Sequence, residues 1–121
     1  MVIVKNRGGA RPQQDFKVES FDDIVGPEIA DPENGVFPKG ASNVTNPNNS
    51  TLSGQYHSIP QGTELPFGLD IIADGSDLYR NSPHAQGHYT VFPTREMTVS
   101  EFNDLYKSFP WVHRGKKNEY V

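Results

Sequence analysis

Apolar positions in this chain come in short bursts separated by turn-forming residues. "VIVK" (2–5) predicts a first strand, ended by "NRGG". "DFKVES" (15–20) alternates polar and apolar with period two and predicts a second strand. "FDDIV" (21–25) has the spacing of a helical turn, stopped by Gly26-Pro27. Residues 26–53 are rich in turn formers and predict one long connection, whose least periodic part is "NVTNPNNST" (43–51). Three further bursts predict strands: "GQYHSIP" (54–60), "GLDIIAD" (68–74) and "GHYTVFP" (87–93). The period then changes. Val99, Phe102, Leu105, Tyr106 and Phe109 fall at helical spacing, and "TVSE" (98–101) has the form of a capping box that opens a helix. Pro110 stops it, and "WVHRGKKNEYV" (111–121) predicts a last strand or tail. The sum is an α+β domain, mainly antiparallel β, with one C-terminal helix.

Composition narrows the picture. A chain of 121 residues fits a single domain, 1–121. Hydrophobic residues make up only 34%, so the core must rely on large aromatic side chains, here 7 Phe, 5 Tyr and 1 Trp. The 11 Gly and 10 Pro point to many fixed turns rather than to disorder. There is no Cys, which excludes disulfides, thiolate chemistry and Cys-ligated zinc. A formal net charge of −4 provides no basic field for nucleic acid or an anionic membrane. The longest apolar run is about four residues, against the roughly 18 needed to span a bilayer, so no membrane association is expected. "MVIVKNRGG" lacks the pattern of a secretory leader, so export would need a dedicated machine or a larger fused chain.

The order "IPQGTELPFGLDIIADG", "HYTVFP", "MTVSEF" and a closing "PW…GKK" resembles a family of small toxin domains with an ADP-ribosyltransferase-like fold, found as type VI secretion effectors and in related bacterial and fungal proteins. The resemblance covers residues 38–117; the segment 1–37 matches poorly. It implies two facing β-sheets with a cleft that binds NAD in a bent conformation. It also implies chemistry at the nicotinamide–ribose bond, which breaks through an oxocarbenium-like transition state as glycosidic bonds do. NAD would be the substrate, the effector would act in the cytoplasm of a target cell, and an immunity protein would protect the producer.

Candidate site residues follow from the resemblance, each beside a plainer alternative. Ser42 in "PKGAS" would support the nicotinamide ribose, or form a turn in a polar loop. Tyr56 and His57 alternate on a strand; one would line the cleft, or they are a core tyrosine and a surface histidine. "GHYT" matches the family pattern: His88 and Thr90 share one strand face, Tyr89 and Val91 the other, and His88 or Tyr89 would face the cleft unless both simply pack. Arg7 and Arg11 would pair with the NAD phosphates through the guanidinium fork, although both fall after the first strand, around a Gly-rich turn. The catalytic carboxylate is unassigned: Glu101 belongs to the helix cap, Glu64 to a turn and Glu119 to the tail. His84 and His88 have the i, i+4 spacing of a helical metal pair, but Pro83 and Gly87 interrupt any helix there, so no metal site is expected. Arg114, Lys116 and Lys117 read as a solvated basic tail.

Three functions remain in play. The first is an NAD-using toxin that transfers ADP-ribose or hydrolyses NAD. The second is a ribonuclease-type toxin with His57 and His88 as acid and base. The third is a catalytically degenerate binding module of the same fold.

Overall fold

The computed structural model describes residues 3–6, 9–45 and 56–115. Among these residues, eight strands and one α-helix follow one another in the order β1 (Ile3–Asn6), β2 (Ile24–Val25), β3 (Ala41–Val44), β4 (Tyr56–Ile59), β5 (Leu69–Ala73), β6 (His88–Pro93), β7 (Met97–Thr98), α1 (Val99–Lys107) and β8 (Val112–Gly115). Six strands form one sheet in the order β5-β6-β3-β1-β4-β8, and β2 pairs with β7 as a separate two-stranded ribbon. Every pairing between these strands is antiparallel. The fold is therefore α+β and dominated by antiparallel sheet, as the hydrophobic pattern predicts. Among the described residues no helix is long and apolar enough to cross a membrane.

Register fixes what each face of the six-stranded sheet carries, because Cα partners in an antiparallel pair point the same way. Val4 is the partner of both Val44 and Ser58, which aligns β3 with β4 through β1. Ala41, Ile59, Leu69 and Val91 then share one face and form the core with Phe16, Phe102, Tyr106 and Phe109. The helix lies on this face because its apolar stripe repeats at helical spacing. It is a short helix, and burial of that stripe, not propensity, holds it. Thr98 caps it by accepting the Glu101 N–H at 3.0 Å. Glu101 completes only half of the expected box: its carboxylate pairs with Arg95 at 2.7 Å instead of reaching back.

Two buried side chains tie the helix to its neighbours through paired polar atoms. Asn103 brackets Ala10, accepting its N–H at 2.7 Å and donating to its carbonyl at 3.1 Å. The Tyr106 hydroxyl donates to Asn43 Oδ1 at 2.6 Å, tying α1 to β3. Burial pushes the Tyr106 hydroxyl pKa up, with the Asn43 bond opposing, so it remains a donor.

Three local expectations fail for identifiable reasons. Residues 15–20 form no strand. Pro12–Phe16 makes a single wide helical turn, started by Pro12 and closed by the Arg11 N–H on Asp15 Oδ2 at 2.7 Å. That turn delivers Phe16 edge-on to Phe102, ring centroids 5.0 Å apart. Residues 21–25 are not a helical turn either: β2 pairs Ile24 with Thr98 and Val25 with Met97. The connection predicted over 26–53 contains β3, an inner strand of the large sheet; residues 46–55 lie outside the described residues.

Candidate functional site

The face of the large sheet away from α1 has a different chemistry. Ser42 and Thr90 are Cα partners there, and Val44 partners His88. Tyr56 and Ser58 of β4 occupy the same face by register. Ser42 is exposed, while Tyr56, Ser58, His88 and Thr90 are buried. Ser42, the one exposed hydroxyl in this row, stands on an inner strand, paired on both sides.

Close backbone approach places Ser42. A Cβ on Gly40 would lie 2.0 Å from the Val91 carbonyl oxygen, so only glycine lets β3 enter the sheet against β6. The "KGAS" sequence therefore has a structural meaning: Gly40 opens the gap and Ser42 stands two residues on.

Beside Ser42 lies a polar cluster built around one carboxylate. Asp74 follows β5 directly and is completely buried. The His88 ring Nδ1 is 2.7 Å from its Oδ1, and the Thr90 hydroxyl donates to its Oδ2 at 2.6 Å. His84 approaches the same carboxylate, Nε2 to Oδ2, at 3.4 Å. The chain between β5 and β6 folds back to make this possible. The Ser76 N–H donates to the His84 carbonyl at 3.1 Å, and the Asp74 N–H to the His88 carbonyl at 3.1 Å. The Ser82 hydroxyl donates to the Asp74 carbonyl. His84 consequently stacks flat on His88, centroids 4.0 Å apart with planes 5° from parallel, and Phe37 meets the His84 ring at a steep angle.

The ring atoms and carboxylate of Asp74, His84 and His88 lie within 4.8 Å of one another, a spacing that a metal ion could use. The stacking argues against it. Imidazole binds a metal through a lone pair in its own plane. Two parallel planes this far apart cannot both contain one ion, so one ring would have to turn before an ion could be shared.

Burial lowers the His84 pKa below its ordinary value of 6.5; His88 adds to the shift and Asp74 opposes it. The folded state thus favours neutral His84, while the unfolded chain takes up a proton near 6.5. The stability this contributes is complete above that value and is lost as pH falls through the lower folded value. Urea midpoints should decline on acidification across this window, and His84→Gln should flatten the decline. An unchanged slope in His84→Gln would place the effect elsewhere.

The remaining candidates divide. His57 partners Lys5, on the helix-side face, and its ring meets His113 at 5.0 Å. Tyr89 partners Asn43 and shares that face. Neither joins Ser42. The Thr90 hydroxyl is spent on Asp74, so Thr90 holds the carboxylate from behind. Arg11 is exposed and follows Ala10, which is fastened to α1, so it too stands on the helix side. Arg7 lies outside the described residues.

Two residues with a place in this site were not singled out as such. Asp74 is the buried carboxylate the sequence reading lacked; its signal was an acidic residue ending "GLDIIAD" directly before a glycine. Arg114 is the other. A bulge in the β4–β8 pairing skips it between His113 and Gly115. Its Nε donates to Ser58 Oγ at 2.8 Å, which brings a guanidinium onto the Ser42 face. Three strand spacings separate β3 from β8, about 14 Å.

The profile of the Tse2 ADP-ribosyltransferase toxin family matches residues 3–113 of the chain. No curated protein and no solved structure matches it. The chain belongs to the Tse2 ADP-ribosyltransferase toxin family.

Proposed function

We propose that this member of a toxin family of ADP-ribosyltransferases binds NAD along the Ser42 face of its large sheet and transfers ADP-ribose to a cellular acceptor. One observation carries the placement: Ser42 and His88 stand on adjacent inner strands, the Asp74 carboxylate holds the His88 ring from the exit of β5, and the Arg114 guanidinium is on the same face. The reaction needs these kinds of group. Ser42 can hydrogen-bond the nicotinamide ribose. The negative charge of Asp74, relayed through His88, favours positive charge developing on that ribose. Arg114 has one N–H on Ser58 and no other protein acceptor among the described residues, which leaves its fork for a phosphate.

The ribonuclease alternative requires His57 and His88 to flank one phosphate, yet they occupy opposite faces of the sheet. Delivery by type VI secretion into a target cytoplasm, and neutralisation by a cognate immunity protein, belong to the same reading.

The test is nicotinamide release from NAD by the purified protein, with transfer of labelled ADP-ribose to lysate components measured in parallel. Ser42→Ala should lower release about 100-fold, the effect of removing one preorganised hydrogen-bonding group at a reacting centre. Ser42 is exposed, so its folding should be unchanged. Full activity in Ser42→Ala would remove this face from the reaction.

A further inference from the structure

We propose that His88, oriented by Asp74, is the general base that takes the proton of the ADP-ribose acceptor, and that the acceptor is a hydroxyl group or water. The inference rests on the NAD-using reading and specifies its second half.

Three contacts fix the His88 ring. Asp74 holds Nδ1 at 2.7 Å, His84 covers one ring face at 4.0 Å, and β6 supplies the backbone, paired on both edges. A carboxylate only accepts hydrogen bonds, so Nδ1 carries the proton in the neutral ring and the lone pair is at Nε2. That nitrogen makes no hydrogen bond among the described residues. Asp74 is itself held by Thr90, so the orientation is passed through two buried bonds. Such an arrangement selects one tautomer and stabilises the imidazolium that forms when Nε2 takes up a proton, while Asp74 stays ionised.

The other described groups on this face do not compete for the role. Ser42, Ser58 and Tyr56 are hydroxyls, and Arg114 is a permanent cation. Asp70 shares the face, but it stands opposite Phe92, four residues along β6 from His88, or about 13 Å. Among the described residues, the titratable groups packed against His88 are Asp74 from the exit of β5 and His84 from the turn before β6. From β3 it meets Val44, with Ser42 diagonal to it. Asp77 is near in sequence but accepts the Gly87 N–H at 3.2 Å.

The step balances. The C–N bond between ribose and nicotinamide breaks, and its electron pair leaves with nicotinamide, neutralising the pyridinium. The acceptor oxygen forms the new C–O bond, and its proton passes to His88 Nε2 and then to solvent. An acceptor that is already an anion needs no base. A fixed imidazole is useful to an acceptor that must lose a proton near neutral pH.

The experiment measures nicotinamide release by the full chain with three acceptors: water, methanol and azide. Wild type should release nicotinamide with each, and methanol should yield a methyl ADP-riboside. His88→Gln should lose about 100-fold with water and methanol. Azide, an anion that needs no base, should restore most of that loss. Wild-type rates with water should fall at acid pH while azide-dependent rates hold. Asp74→Asn, which presents an N–H to Nδ1 and forces the wrong tautomer, should mimic His88→Gln in kcat with little change in KM for NAD. Thermal melts check that both variants fold. Lost activity that azide does not restore in a folded His88→Gln would reduce His88 to a structural role and overturn the proposal; so would unchanged activity. Wild type that releases no nicotinamide with any acceptor fails the NAD reading itself, a result separate from every His88 outcome.

Discussion

Replacing Asp74 with alanine should destabilise the protein by about 3–5 kcal/mol, the range for removing one member of a buried charged group. The side chain is fully buried, and it is the hydrogen-bond partner of both the His88 ring and the Thr90 hydroxyl. Truncation leaves those two groups without a partner in a place water reaches poorly, and each such loss is costly. Its backbone N–H also closes the loop onto the His88 carbonyl, so disorder there would spread to His84. Urea unfolding measures the effect; a loss below about 1 kcal/mol would mean the cluster contributes little to the fold. Catalysis should fall further than stability explains. The milder Asp74→Asn keeps an acceptor for Thr90, and so separates the two effects.

Gly40→Ala should be nearly as damaging, on the order of 3 kcal/mol or more, although it adds one methyl group. The new Cβ would meet backbone, with the Val91 carbonyl oxygen at 2.0 Å and its carbon at 2.9 Å. A flexible side chain could move aside; a strand in the middle of a sheet cannot. Relief requires β3 to part from β6, which moves Ser42 away from Thr90 and His88. The variant should therefore lose activity even under conditions where it stays folded. A melting temperature within a degree of wild type would show that β3 enters the sheet differently.

What the sequence revealed follows from where local rules govern. α1 was legible because its cap, its apolar period and Pro110 all agree. β4, β5 and β6 were legible because Pro and Gly bound runs that form strands readily. β3 was not. "ASNV" has one strong strand former, and it sits in a stretch of turn residues; it becomes a strand because β1 and β6 both pair with it. Alternation in "DFKVES" predicts a strand over 15–20, but Pro12 and the reach of Asp15 back to Arg11 set a helical turn at Pro12–Phe16, a contact that periodicity does not encode. The family was legible from the order of short motifs over 38–117; the profile match bears out the family, and it spans residues 3–113, taking in most of the segment that resembled it poorly.

The site was legible in its parts but not in its grouping. Ser42 and His88 fall on one face only because β3 and β6 are neighbours, a fact of topology. The His84–His88 spacing was visible, and Pro83 and Gly87 rightly argued against a helix. The contact arises from a loop that doubles back, bonding Ser76 to His84, and no periodicity encodes that. Arg114 read as part of a basic tail because a bulge, unseen in sequence, turns it toward Ser58.

The central claim is that NAD lies on the sheet face opposite the helix. It is tested most directly by NMR titration of isotope-labelled protein with a carbocyclic NAD analogue whose nicotinamide linkage cannot break. Backbone signals of Ser42, His88 and their neighbours on β3 and β6, with the Arg114 side chain, should shift together and saturably. Shifts confined to α1 and the Pro12–Phe16 turn, or no saturable shifts in folded protein, would contradict the account.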